Sequence, residues 1–337
     1  MTVNLSWMPF LDVRPRRYRF RILNASVSRF FKIALVTAAG QRVPFHMTAN
    51  DGNIMQHAVR FPNAQSQDLP LQGIAERFDI VVDFSAYPQG TKLYFVNLAE
   101  HEDGARPKQL AKLADAMAGK SADPGVGKFL EFRIAAAVTG DTDMSMNPDD
   151  YVEGKMTMIT RPVITPAELV GARHRSFTFG RSNGTDENPW TIKTDGGQGL
   201  TTDLKRISAA PTQGAVEIWH LRSGDEGISG GWTHPVHIHF AEGQILSRDG
   251  LPPPKWERWA RKDMYNVGRL ASTEVQVALR FEDFLGTYME HCHNTQHEDH
   301  AMLLRYDVNS PGTPMLIRAP LPNWSGVSYA ASYLLSE

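Results

Sequence analysis

The chain holds one cysteine, Cys292, and it stands between two histidines, His291 and His293. Twelve histidines in 337 residues amount to roughly one in every 28, yet six of them fall in two short runs, HPVHIH (234 to 239) and HCHNTQH (291 to 297). Imidazole and thiolate are the donors that first-row metals favour. Alternate side chains of a β-strand share a face. His237 and His239 therefore point one way, as do His291 and His293, while Cys292 points to the opposite side. Two pockets follow. One gathers four imidazoles. The other gathers the sulfur of Cys292 with His234, with His297 five residues on, and with Met302 five beyond that. Two His, one Cys and a weak thioether are the donor set of a blue-copper electron-transfer centre, because soft sulfur suits Cu(I) and imidazole suits both oxidation states. Two plainer accounts compete. A buried cysteine with incidental histidine neighbours leaves several imidazoles to be desolvated without partners. Zinc needs only three or four of these donors and gives Met302 no purpose.

The elements that must position these residues read as strands. Period-two alternation recurs, as at Tyr18, Phe20 and Ile22 and at Val216, Ile218 and His220, and amphipathic helical periods are scarce. The class is all-β. The one helical candidate spans Lys108 to Gly119, as an insertion rather than a core element. From Ala135 to Arg173 the composition turns loop-like, which predicts one β domain over 1–150, a linker to about 173, and a second domain within 151–337. Lys and Arg number 35 against 37 Asp and Glu, a net charge of -2 with no long block of either sign. That disfavours nucleic acid and anionic membrane as partners. No run approaches the roughly 18 apolar residues of a membrane span, and Met1 to Asp12 lack the order of a secretory leader. A single thiol excludes an intrachain disulfide.

Self-similarity ties the two halves together. GTKLYFVNLAEHEDGA from Gly90 matches GTYMEHCHNTQHEDHA from Gly286 without a gap, so His101, Glu102 and Asp103 fall opposite His297, Glu298 and Asp299. A second match sets VPFHMTANDG from Val43 against HPVHIHFAEG from His234, with His46 opposite His237, and Val43 and Thr48 opposite His234 and His239. Where the second half has His291, Cys292 and His293, the first has Phe95, Val96 and Asn97. A strand in this place can thus be built without metal donors, which favours a functional reading of the second half. His101, lacking a Cys or a partner His, is expected to be structural.

HPVHIH together with HCHNTQHEDHAM resembles the paired C-terminal copper motifs of three-domain multicopper oxidases, on the bacterial laccase, spore-coat laccase and bilirubin oxidase branch. VNLSWMPFLDVRPRRYRFRILNAS (Val3 to Ser26) and ERFDIVVDFS (Glu76 to Ser85) are similar to phrases of that family's copper-free middle domain. The resemblance implies two cupredoxin-like Greek-key β-barrel or sandwich domains. It implies a type 1 copper on His234, Cys292, His297 and Met302, a type 2 copper on His237, and a type 3 pair on His239, His291 and His293. Cys292 would carry electrons to the cluster. Glu298 matches an acid that the family places near the dioxygen site, where it either relays protons or orients a ligand histidine. The family couples one-electron oxidation of phenols, aromatic amines, bile pigments or metal ions, at an exposed edge of a type 1 His, to reduction of O2 to water. Its proteins act in the periplasm or outside the cell.

The family's cluster takes eight His, four of them from two His-x-His motifs in an N-terminal domain. Here His46, His57, His101, His174 and His220 are isolated in sequence. The chain therefore reads as family domains two and three, and its partners as O2, a small reductant and an N-terminal cupredoxin domain in cis or in trans. Without that domain, the alternative is a blue-copper electron-transfer or copper-binding module that does not reduce O2. Met144, Met146, Met156 and Met158 could shield a substrate or bind cuprous ion, but Met clusters more often fill apolar gaps. His300 falls off the ligand register and is expected at the surface or behind the ligands.

Overall fold

The computed structural model describes residues 1–102, 106–160, 164–224 and 231–311. Asp103, part of the first-half repeat, lies outside them. The chain divides into unit 1, Met1–Arg161 with Pro254–Ala260, and unit 2, Pro162–Pro253 with Arg261–Glu337.

Unit 1 contains β1 (Thr2–Val3), β2 (Ser6–Trp7), β3 (Phe10–Val13), β4 (Arg17–Leu23), β5 (Phe31–Thr37), β6 (Phe45–Asn50), β7 (Asn53–Phe61), β8 (Leu71–Gln72), β9 (Arg77–Asp83), β10 (Lys92–Asn97), β11 (Ala99–Glu102), β12 (Arg106–Leu110) and β13 (Gly127–Ile134). One sheet runs β3-β13-β10-β5-β8 and the other β4-β9-β6-β7. Inward-facing Leu35, Phe45, Met47, Phe78, Ile80, Leu93 and Phe132 fill the space between them. This is the alternation that a half-buried sheet demands. The helix expected over Lys108–Gly119 is only Leu113–Met117, because Arg106–Leu110 instead pairs with Ala99–Glu102. Two apolar repeats are too few to hold that stretch helical once a hairpin partner is adjacent. A short segment from far along the chain completes this core. Trp256 meets Phe61 at 5.5 Å between ring centroids, and Ala260 is fully buried.

Unit 2 contains β14 (Arg173–Gly180), β15 (Thr191–Thr194), β16 (Gly199–Leu200), β17 (Ile207–Ala209), β18 (Val216–Ser223), β19 (Thr233–Ile238), β20 (Gln244–Arg248), β21 (Met264–Gly268), β22 (Glu274–Arg280), β23 (Gly286–Cys292) and β24 (Leu303–Val308). Its sheets run β17-β24-β23-β19-β21 and β16-β15-β14-β18-β22-β20. Phe177, Phe179, Trp219, Leu221, Val277 and Tyr306 are buried between them.

The five-stranded sheets of the two units coincide strand for strand. The series β3-β13-β10-β5-β8 matches β17-β24-β23-β19-β21, down to the parallel pairing of β3 with β13 and of β17 with β24. The repeat that opens at Gly90 and Gly286 is a true equivalence, since β10 and β23 hold the same place. The second sequence match is not. Val43–Gly52 lies on β6, in the opposite sheet from β10, whereas His234–His239 pairs directly with β23. The counterpart of the histidine strand is β5. Phe95 pairs with Leu35 as His291 pairs with His237, so Lys32, Leu35 and Thr37 stand where unit 2 has His234, His237 and His239. A local match of one Pro and one His between two extended segments carries little positional information. Long-range pairing decides the equivalence.

Candidate metal centre

β19 and β23 lie side by side, with Val236 opposite Cys292 and His237 opposite His291. Strand alternation then sends the donors to two faces of one sheet, as the spacing predicts. On the core face, Cys292 Sγ is 3.6 Å from His234 Nδ1 and 3.4 Å from His297 Nδ1, and the two Nδ1 atoms are 3.2 Å apart. His234 and Cys292 are 0% exposed and His297 is 1%. Three lone-pair donors this close, in an apolar surround, leave room for one ion at the roughly 2.0–2.3 Å of nitrogen and sulfur bonds to first-row metals. Burial, reinforced by neighbouring His234, holds His297 well below the ordinary histidine range, in the neutral form a metal needs. The donors fit an ion.

Local structure explains why they converge. Asn294 caps the short helix Thr295–Asp299 by accepting the Gln296 N–H, and that turn swings His297 back beside Cys292. Met302 is fully buried, and its carbonyl accepts the Cys292 N–H at 3.2 Å. Trp190 stacks on the His297 ring at 3.7 Å between centroids, and half-buried Trp232 meets it edge-on at 5.3 Å. Neither Trp was singled out in the sequence. Trp190 lies far from both histidine runs and nothing in its neighbourhood marks it. Trp190 also meets the His234 ring edge-on at 5.7 Å, and in this structure both imidazoles are buried rather than presenting the exposed edge that the resemblance implies.

On the other face, donor atoms of His237, His239 and His291 lie within 4.8 Å of one another, and His239 Nε2 is 3.2 Å from His291 Nε2. The His293 ring is 5.2 Å from that of His291 and 5.8 Å from that of His237. The backbone sets these rings. His239 N–H donates to Met289, His293 N–H donates to Pro235 at 2.7 Å, and the Tyr306 hydroxyl donates to the His239 carbonyl. His237 Nδ1 sits 2.9 Å from the Asp263 carbonyl, so Nδ1 carries the proton and Nε2 keeps its lone pair. Burial lowers the pKa of His237 to about 4, with Asp263 opposing, and lowers that of His239 too. Glu298 Oε1 is 3.1 Å from His291 Nδ1, and this pairing with the imidazole holds the carboxyl below its usual range. Of the remaining expectations, His300 is exposed, with Nδ1 against the Gln296 carbonyl, and Met158 packs on the unit 1 core while Met144, Met146 and Met156 are exposed.

Residues 176–312 match the family model for multicopper oxidases. That stretch is a multicopper oxidase domain. The chain is 30% identical over 315 residues to bilirubin oxidase from Albifimbria verrucaria, covering 91% of this chain and 47% of that one. It is 24% identical to laccase from Bacillus subtilis, covering 92% and 54%. Among solved structures, the multi-copper oxidase of Pediococcus acidilactici superposes with a TM-score of 0.67 at 22% identity, covering 94% of this chain and 54% of that one. The fold is therefore the all-β, cupredoxin-like one of that family. The chain spans about half the length of these curated relatives. Among the described residues, no helix is long and apolar enough to cross a membrane.

Proposed function

We propose that this chain forms part of a laccase-like multicopper oxidase that couples one-electron oxidation of small reductants to reduction of O2 to water. The observation that carries the reading is the back-to-back arrangement on β23, with a buried His234–Cys292–His297 triangle on one face and four imidazoles on the other. Copper bound in these sets would take up single electrons at the first and deliver them to O2 at the second. His234, Cys292 and His297 would hold type 1 copper, with the buried Met302 as a weak fourth donor. His237 would hold type 2, and His239, His291 and His293 the type 3 pair.

The chain's own residues supply the rest. Cys292 is bonded through its backbone to His291 and His293, a short covalent path between the two faces. Trp190 and Trp232 exclude water from the sulfur side, so a phenol, aromatic amine, bile pigment or metal ion would approach across half-buried Trp232. The Asp263 carbonyl fixes the His237 tautomer, and Glu298, 3.1 Å from His291 Nδ1, would orient that ring. Four imidazoles are half of an eight-imidazole cluster. The other four would come from a cupredoxin domain in cis or in trans, at a periplasmic or extracellular site of action. Alone, the described donors favour a blue-copper electron-transfer module.

The test is copper loading of the folded chain. An intense blue absorption that Cys292→Ser abolishes is expected, with about one tightly held copper and little O2 consumption until the His-rich domain is added. A colourless, folded, copper-loaded chain would refute the type 1 assignment. Four coppers and full turnover in the chain alone would refute the shared cluster.

A further inference from the structure

Two histidines that are isolated in sequence meet on unit 2. His174 on β14 and His220 on β18 come from neighbouring parallel strands, paired so that Ser176 faces His220 and His174 faces Ile218. The two histidines are therefore diagonal neighbours on one face of the sheet. Their rings are 5.1 Å apart, and His174 Nδ1 lies 2.8 Å from His220 Nε2. On the next strand, β22, Glu274 Oε1 takes the other nitrogen of His220 at 3.0 Å. Glu274 is itself fixed by Arg222 Nε at 2.5 Å and by Gln276 Nε2 at 3.0 Å.

We propose that His174 and His220 are the ligands of a second, exposed metal site, for a divalent first-row ion, with Glu274 as its positioning residue. The tautomer argument is direct. A carboxylate at His220 Nδ1 places the proton there and leaves the Nε2 lone pair aimed at His174. This is the carboxylate–histidine–metal order found where an imidazole is presented to an ion. An ion bonded at about 2.0–2.1 Å to both nitrogens needs them about 3 Å apart, close to the spacing already present. His174 is exposed, so water can fill the remaining positions. Arg222 cancels much of the Glu274 charge, so the site selects by imidazole donation rather than by net charge. That favours Cu(II) over Zn(II) and disfavours Ca2+ and Mg2+. The site shares no residue with the Cys292 centre and does not depend on the oxidase reading.

The experiment is a Cu(II) titration of the copper-loaded chain after loosely held metal is dialysed away. One further equivalent should bind, with a non-blue, nitrogen-coordinated electron paramagnetic resonance signal. His174→Ala should remove that equivalent and its signal while the blue absorption stays unchanged. The side chain is at the surface, so the fold does not depend on it. His220→Ala should do the same, and Glu274→Gln should weaken this copper by about 10- to 100-fold. Cys292→Ser should lose the blue absorption and keep the surface copper, which separates this proposal from the oxidase reading. No added equivalent in the wild type, or the same equivalent and signal in His174→Ala, would overturn it.

Discussion

At His101 in unit 1 and at His297 in unit 2, a histidine follows an equivalent strand at the same distance from its opening glycine, and the two rings meet opposite surroundings. His101 Nε2 accepts the Phe30 N–H at 2.9 Å. Asp123 receives the His101 N–H and the Gly125 N–H, and it pairs in bidentate fashion with Arg29 at 2.8 and 3.0 Å. The ring is satisfied as a piece of backbone scaffolding. His297 Nδ1 instead lies 3.4 Å from the sulfur of Cys292 and 3.2 Å from Nδ1 of His234, both potential metal donors, under a stacked Trp190. The histidine is common to both places, and its partners decide its role. Where a donor and an ion pair close the hydrogen bonds, the imidazole is structural. Where lone pairs converge in a dry pocket, only a cation or a proton can reconcile them.

The largest expected effect probes the structural member. Asp123→Ala strands Arg29 and two backbone N–H groups in a mostly buried site, and should cost unit 1 about 3–5 kcal/mol in denaturant unfolding, leaving the blue absorption of the folded protein unchanged. A loss under 1 kcal/mol would dissolve the contrast.

Acid probes the same place. Burial and then Arg29 lower the pKa of His101 to about 4 in the folded state, against about 6.5 unfolded. The unfolded chain binds the proton first, so stability is complete above pH 6.5 and falls as the pH drops toward 4, by about 3 kcal/mol in total. His101→Gln should flatten that part of the stability–pH profile; an unaltered slope would assign the titration elsewhere.

On the metal side, with the His-rich domain supplied, Glu298→Gln should preserve the colour and weaken copper held at His291 by about 10- to 100-fold, read by dialysis against graded chelator. Equal retention would remove Glu298 from the support of that ring. The smallest change is Met302→Leu, which should keep the blue site and raise its reduction potential, because losing a weak sulfur donor destabilises the oxidised ion more. A lowered or unchanged potential in redox titration would count against Met302 as a copper donor.

The HCH run on an alternating strand already requires two donor faces, and β23 presents them so. The match at Gly90 and Gly286 is long and ungapped, and it survives in the topology. The match at Val43 and His234 is short, and it fails. Nothing local in Phe31–Thr37, FKIALVT, hints that it is the counterpart of a histidine strand. Only its pairing with β10 shows it.

What the sequence determined by itself was the donor chemistry: residue type and a period of two fix which atoms can share a face, whatever the fold. The convergence of those faces was decided by tertiary structure. His234 and His297 are 63 residues apart and meet at 3.2 Å, Trp190 closes over them from another strand region, and His174 reaches His220 across 46 residues of chain. Contacts of that separation depend on strand order and register. These are set by burial of whole apolar faces between two sheets, a property no short window of sequence contains.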